Sequence, residues 1–85
     1  MASYSLKIKR SAERELRAIP KTDLARIVQR IQSLTSNPRP HGSEKLSGED
    51  KYRLRQGDWR IVYGIDDVAK IVEIVRIGHR REVYR

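Results

Sequence analysis

Apolar residues recur along this chain with two different periods, and the change of period divides it into elements. Residues 3–9 alternate, with Tyr4, Leu6 and Ile8 against Ser5, Lys7 and Lys9, which predicts a half-buried strand. Ala12, Leu16 and Ile19 then share one helical face, with Ser11 as the expected N-cap and Pro20 as the interruption. From Lys21 to about Ser36 the apolar positions are Leu24, Ile27, Val28, Ile31 and Leu34, the spacing of a second amphipathic helix. Asn37-Pro38 ends it. The stretch 38–50 carries breakers and only Leu46 as an aliphatic anchor, so it reads as a loop long enough to have a function or a tether. Three further strands are predicted at roughly 51–56, 58–65 and 69–77, turned at Gln56-Gly57-Asp58 and at Asp66-Asp67. Links this short make them antiparallel neighbours.

The result is an α+β fold in one domain, residues 1–85. An N-terminal strand and a two-helix hairpin precede a three-stranded antiparallel meander, and the helices pack on one face of a four-stranded sheet. The last strand has two apolar sets, Val72/Ile74 and Ile71/Val75/Ile77, and alternation leaves open which of them meets the helices. In the other two meander strands Tyr52, Leu54, Trp59, Ile61 and Tyr63 share one parity. If these point toward the helices, Arg53, Arg55 and Arg60 gather on the open face. Trp59, Tyr63 and Tyr52 are accordingly read as core aromatics rather than as platforms for bases.

Charge sharpens this picture. The net charge is +8 and the pI about 10.3, which favours nucleic acid, an anionic membrane surface or an acidic protein partner without choosing among them. Basic residues occur in both halves, so a patch has to come from folding rather than from a tail. The chain has no cysteine, which excludes disulfides and thiolate metal sites. His41 and His79 have no partner at metal-ligand spacing, so no metal and no cofactor are expected. No secretory signal and no membrane span is visible in the pattern, and a cytoplasmic protein is expected. Asp66-Asp67 reads as a hairpin turn, and Glu13 and Glu15 as the acidic first turn of a helix.

An arginine face is suited to phosphate, because the guanidinium fork pairs with its oxygens two at a time. It is poorly suited to taking a proton, since a pKa above ~12 leaves almost no neutral form at pH 7. RNA cleavage through the 2′-hydroxyl would need a proton acceptor, a donor to the leaving 5′-oxygen, and positive charge for the phosphorane. Arg53, Arg55, Arg60 and Arg80 could supply the charge, and Tyr84 or His79 the proton transfer. Those same arginines could equally form a solvated sheet surface. The residues by themselves support a basic α+β domain that binds anions.

Beyond that, the chain resembles the RelE/ParE toxin family of bacterial and archaeal toxin–antitoxin systems, and within it the RelE-like branch. Five pieces carry the resemblance, in order: Ala12-Glu13-Arg14-Glu15-Leu16, Leu34 with Asn37-Pro38-Arg39-Pro40, Lys45-Leu46-Ser47-Gly48, Tyr52 through Tyr63, and Ile77-Gly78-His79-Arg80-Arg81-Glu82-Val83-Tyr84. The resemblance implies a toxin acting as a ribosome-dependent, metal-independent endoribonuclease. Such an mRNA interferase cuts the A-site codon to a 2′,3′-cyclic phosphate and a 5′-hydroxyl and so inhibits translation. It places the family's basic pair at Arg53 and Arg55, its second-strand arginine at Arg60, the arginine after the Gly-basic step at Arg80 and its tyrosine at Tyr84. Well-studied members carry lysines where this chain has Arg53 and Arg55, which leaves the general base unassigned here. The implied partners are a cognate antitoxin, the ribosomal A site with its mRNA, and operator DNA reached through the antitoxin. The other branch of the family, ParE-like, poisons DNA gyrase without cutting RNA.

Overall fold

In the last strand the two apolar sets both reach the core, because the strand is bulged. The computed structural model describes residues 3–48 and 50–79. Its elements are β1 (Ser5–Ile8), α1 (Arg10–Arg17), α2 (Lys21–Ser33), β2 (Glu44–Lys45), β3 (Tyr52–Gln56), β4 (Trp59–Asp66) and β5 (Ile71–His79). Between β4 and β5 the pairs run Ile61 with Ile77 and Val62 with Arg76, then jump to Tyr63 with Ile74. Val75 therefore has no residue opposite it, and side-chain parity reverses there. Val72 and Ile74 on one side of the bulge and Ile77 on the other all become buried. Arg76 is turned onto the opposite face, beside Val62.

The sheet has five strands in the order β1-β5-β4-β3-β2, one more than the pattern predicts. The extra strand, β2, lies in the stretch expected to be a loop and pairs Glu44 with Arg53 and Lys45 with Tyr52. Two residues are too few to leave a periodic signature. β1 runs parallel to β5 and every other pair is antiparallel. Just past β2, the Leu46 N–H donates to the Lys51 carbonyl at 2.8 Å, which closes the rest of the loop on itself.

Both helices lie on one face. Ala12 and Ile19, with Ile27, Ile31 and Leu34, pack with Tyr4, Leu54, Ile61, Tyr63, Val72, Ile74 and Ile77 in one buried cluster. Their ends differ from expectation. Lys9, not Ser11, occupies the N-cap of α1 and makes no side-chain capping bond, because the helix begins at Arg10. α2 ends at Ser33, three residues early, and residues 34–36 continue as tighter turns with Leu34 N–H on Ile31 O and Thr35 N–H on Gln32 O. No described helix is long and apolar enough to cross a membrane.

Glu15 has a role that its helix does not explain. β1 stops opposite Ile74, so β5 beyond that point lacks a strand on this side. There the Glu15 carboxylate (Oε1) accepts the Ile77 N–H at 2.8 Å, substituting for a missing strand. Glu15→Ala is expected to lower the unfolding free energy by roughly 1–3 kcal/mol, the cost of a part-buried donor left unpaired. Urea titration reads this directly, and an unchanged midpoint would show that water satisfies the Ile77 N–H.

At the opposite end of the sheet a polar cluster ties the segment after α2 to the β4–β5 turn. Tyr63 OH donates to the Pro38 carbonyl at 2.7 Å. Arg39 donates to both carboxylate oxygens of Asp67, at 3.3 and 2.8 Å, and through Nε to Tyr52 OH at 3.1 Å. Tyr4 OH completes the set with a 2.7 Å bond to Asp67. The hydrogen bonds from Arg39, and then from Tyr4, hold the Asp67 carboxyl down at about 2. A depressed folded-state pKa contributes stability that is full above the unfolded value of about 4 and is lost as pH falls toward about 2. Over that window the stability of Asp67→Asn should therefore depend less on pH than that of the wild type. Parallel acid titrations followed by circular dichroism would test this.

Candidate functional site

The face turned away from the helices is where the arginines meet. Gly57, at φ +60, makes a two-residue turn that sets β3 against β4 in strict register. Arg55 consequently lies opposite Arg60, and Arg53 opposite Val62. Tyr52, Leu54, Trp59, Ile61 and Tyr63 face the core as the alternation requires. Next across, β5 places Gly78 opposite Arg60 and Arg76 opposite Val62. A row of Gly78, Arg60 and Arg55 thus sits beside a row of Arg76, Val62 and Arg53. Like charges directly opposite in a sheet repel, and here two guanidinium groups share one cross-strand position.

These arginines are not equivalent. Arg60 is only 5% exposed, although an exposed position was expected for it. It lies across the strand from a glycine, which puts no side chain over it, and its Nη1 donates to the Trp59 carbonyl at 3.4 Å. Alternation gives the face of a residue but not its depth. Arg53 is half-sunk, with Nη2 3.4 Å from the Glu44 carboxylate of β2. Arg55 and Arg76 are exposed. Between Arg53 and Arg76 the floor is apolar, since Val62 is buried. A shallow depression of about 300 Å³ opens at one end, lined by Gly42, Glu44, Arg53 and Arg55. Such a surface can hold phosphates by bidentate guanidinium bonds around a small apolar floor, with graded exposure to solvent.

His79 does not join this face. It pairs with Trp59 and meets its ring edge-on at 5.6 Å, on the helix side of the sheet. Trp59 is fixed there by its Nε1–H, which donates to Asp23 of α2 at 3.2 Å. Arg80 and Tyr84 lie outside the described residues. Arg76 and Glu44 are the additions that sequence reasoning missed. Arg76 was hidden because a bulge reverses parity, and Glu44 because β2 is too short to show a period. Among the described residues no group of three or more His, Asp or Glu side chains could hold a metal ion.

Comparison with known proteins places the chain. The profile of the ParE toxin of type II toxin–antitoxin systems (parDE) matches residues 6–84. Toxin RelG of Mycobacterium tuberculosis is 31% identical over 86 residues, covering 96% of this chain and 97% of that one. Toxin RelE of the same organism is 34% identical over 84 residues, covering 96% of this chain and 87% of the relative. In structure, the chain superposes on a chain of the RelBE2 toxin–antitoxin complex of M. tuberculosis with a TM-score of 0.81 at 30% identity, over 92% of this chain and 99% of that one. It superposes on the isolated E. coli RelE toxin with a TM-score of 0.80 at 26% identity, over 96% and 92% of the two chains.

Proposed function

The chain belongs to the RelE/ParE toxin family of type II toxin–antitoxin systems, and on that premise we propose that it is a ribosome-dependent endoribonuclease that cleaves mRNA in the A site. The observation that carries this reading is the convergence of Arg53, Arg55 and Arg60 on one sheet face around the buried Val62. In the proposed reaction the ribose 2′-oxygen loses its proton and attacks the adjacent phosphorus. The bond to the 5′-oxygen breaks, and that oxygen gains a proton. Arg53, Arg55 and Arg60 hold the phosphoryl oxygens as negative charge builds on them. Arg80 adds to that charge by its correspondence with the family arginine, and Tyr84 moves the proton at the 5′- or 2′-oxygen. No metal is assigned a part.

Dependence on the ribosome fits what the described residues of the face offer. Arginine cannot serve as a base near pH 7, and His79 sits on the other side of the sheet. The substrate must therefore be bent into the in-line geometry and partly activated by its surroundings, which for mRNA are ribosomal RNA and neighbouring bases. The structural relatives include toxins solved in complex with RelB antitoxins. A cognate antitoxin for this chain, presenting an acidic or amphipathic segment to its basic surface, belongs to the same proposal. Operator DNA would be bound by that complex through the antitoxin.

The test sets purified protein against translating ribosomes programmed with a defined mRNA, beside a DNA gyrase cleavage assay. Codon-end cleavage on the ribosome, with free RNA left intact, is the expected result. The matching family profile is described for parDE, and trapped gyrase–DNA complexes with intact mRNA would assign the chain to that activity instead.

A further inference from the structure

The arginine face accounts for only part of the charge, and a further part lies on the two helices. In α1, Arg10, Arg14 and Arg17 follow the four- and three-residue spacing of one stripe, diametrically opposite the buried Ala12. All three are exposed, as are Lys21 and Arg26 of α2. Of the nearby carboxylates, one neutralises Arg17 within the stripe and two are engaged elsewhere. Glu13 binds Arg17 at 2.8 Å, Glu15 takes the Ile77 N–H at 2.8 Å, and Asp23 takes the Trp59 Nε1–H at 3.2 Å. Arg10 and Arg14 enter no ion pair among the described residues.

Helix stability explains part of this arrangement, since Arg14 and Arg17 lie in the last turn where a cation suits the helix dipole, but it does not explain Arg10. A cation in the first turn opposes the helix dipole, and two arginines four apart repel each other. An acidic side chain at Arg10 would suit α1 better on both counts. The stripe also lacks the apolar companions that a membrane-surface helix needs. The fully exposed large hydrophobic residue of the described structure is Val68, at the tip of the β4–β5 turn.

We infer that the α1 stripe is a second surface for the phosphate backbone of folded RNA, back to back with the Arg53/Arg55/Arg60 face. The protein measures 33 × 28 × 25 Å and carries α1 on the side of the sheet opposite those arginines. Two basic surfaces so placed contact two backbone segments on opposite sides of the molecule, as in a slot between RNA helices, and the two contacts reinforce each other. The inference rests on the ribosomal reading for the identity of that RNA, but the phosphate contact can be measured separately.

The experiment compares wild type with Arg10→Gln/Arg14→Gln, and with Arg10→Lys/Arg14→Lys as the charge-retaining control. Binding to a short RNA duplex and to programmed ribosomes is measured across a salt series, alongside thermal unfolding and single-turnover cleavage at saturating protein. The Gln variant should bind both RNAs about tenfold more weakly at low salt. The slope of log K on log salt should become shallower by about one to two, one contact contributing roughly 0.7–0.9. The Lys variant should retain the wild-type slope, Tm should be unchanged or raised, and saturated cleavage should be unaffected.

Equal slopes for wild type and the Gln variant on both RNAs would overturn the inference, even with ribosomal cleavage intact. So would equal RNA slopes with weakened binding to polyglutamate, which would give the stripe to an acidic protein partner. Conversely, the expected loss of slope in a protein that fails to cut ribosomal mRNA would leave the stripe as an RNA surface and remove the nuclease reading.

Discussion

Arg60→Ala is expected to lose both activity and stability, while Arg55→Ala loses activity alone. Arg60 is 5% exposed, bonded to the Trp59 carbonyl and set against Gly78 across the strand. Under the proposed function, truncation removes a charge-bearing fork from the phosphate site, which for a lost transition-state donor costs about 10²–10³ in rate. It also removes the aliphatic stem of a buried side chain, so the unfolding free energy should fall by roughly 1–3 kcal/mol. Arg55 stands opposite it but in solvent, where a substitution changes stability by no more than about 0.5 kcal/mol. Arg60→Lys separates the roles further, because it restores charge but not the planar fork. Single-turnover cleavage on programmed ribosomes, with urea unfolding of the same preparations, decides the matter. If Arg60→Ala is inactive only in proportion to its unfolded fraction, Arg60 is a structural residue and the phosphate site is elsewhere.

How far this site could be read from sequence depends on which physical rule each residue obeys. Tyr52, Leu54, Trp59, Ile61 and Tyr63 obey strict alternation, and the Gly57 turn preserves it across both strands, so their burial and the opposite placement of Arg53, Arg55 and Arg60 were legible. β5 breaks the rule in the middle. Its two apolar sets look contradictory until Val75 is seen to be unpaired, and only then do Ile74 and Ile77 share a face and Arg76 join the arginines. Depth was illegible for a different reason. Arg60 is 5% exposed on a face that alternation leaves open, and alternation does not describe what neighbouring elements lay over a side chain. The polar ties span long distances in sequence, 28 residues between Arg39 and Asp67 and 62 between Glu15 and Ile77, and no local period encodes them. Ser11 failed as a cap because Lys9, already extended at φ −62 and ψ 145, lets the helix start earlier.

Tyr84→Phe should slow cleavage by about 10²–10⁴, the range for loss of a positioned proton carrier, with little change in ribosome affinity. Arginine side chains can stabilise, orient and neutralise a phosphate, but as a residue type they are poor proton carriers near pH 7. His79 could exchange a proton, yet it lies on the helix side of the sheet with its ring edge-on to Trp59. Its truncation should loosen the Trp59 contact and lower stability modestly, leaving the cleavage step near the wild-type rate. Tyr84 is assigned by its match to the family tyrosine. A phenol can donate to a leaving oxygen and stack its ring on a base, and phenylalanine keeps the stacking while losing the proton. A rate loss at unchanged affinity therefore isolates the hydroxyl, because a merely structural tyrosine would change binding and folding together. The pair must be compared in single turnovers on pre-assembled ribosome complexes at constant magnesium, since removing the ion would dismantle the ribosome. Normal rates in Tyr84→Phe with a large loss in His79→Ala would transfer the proton to the imidazole, and would require β5 to turn His79 toward the arginines when RNA binds.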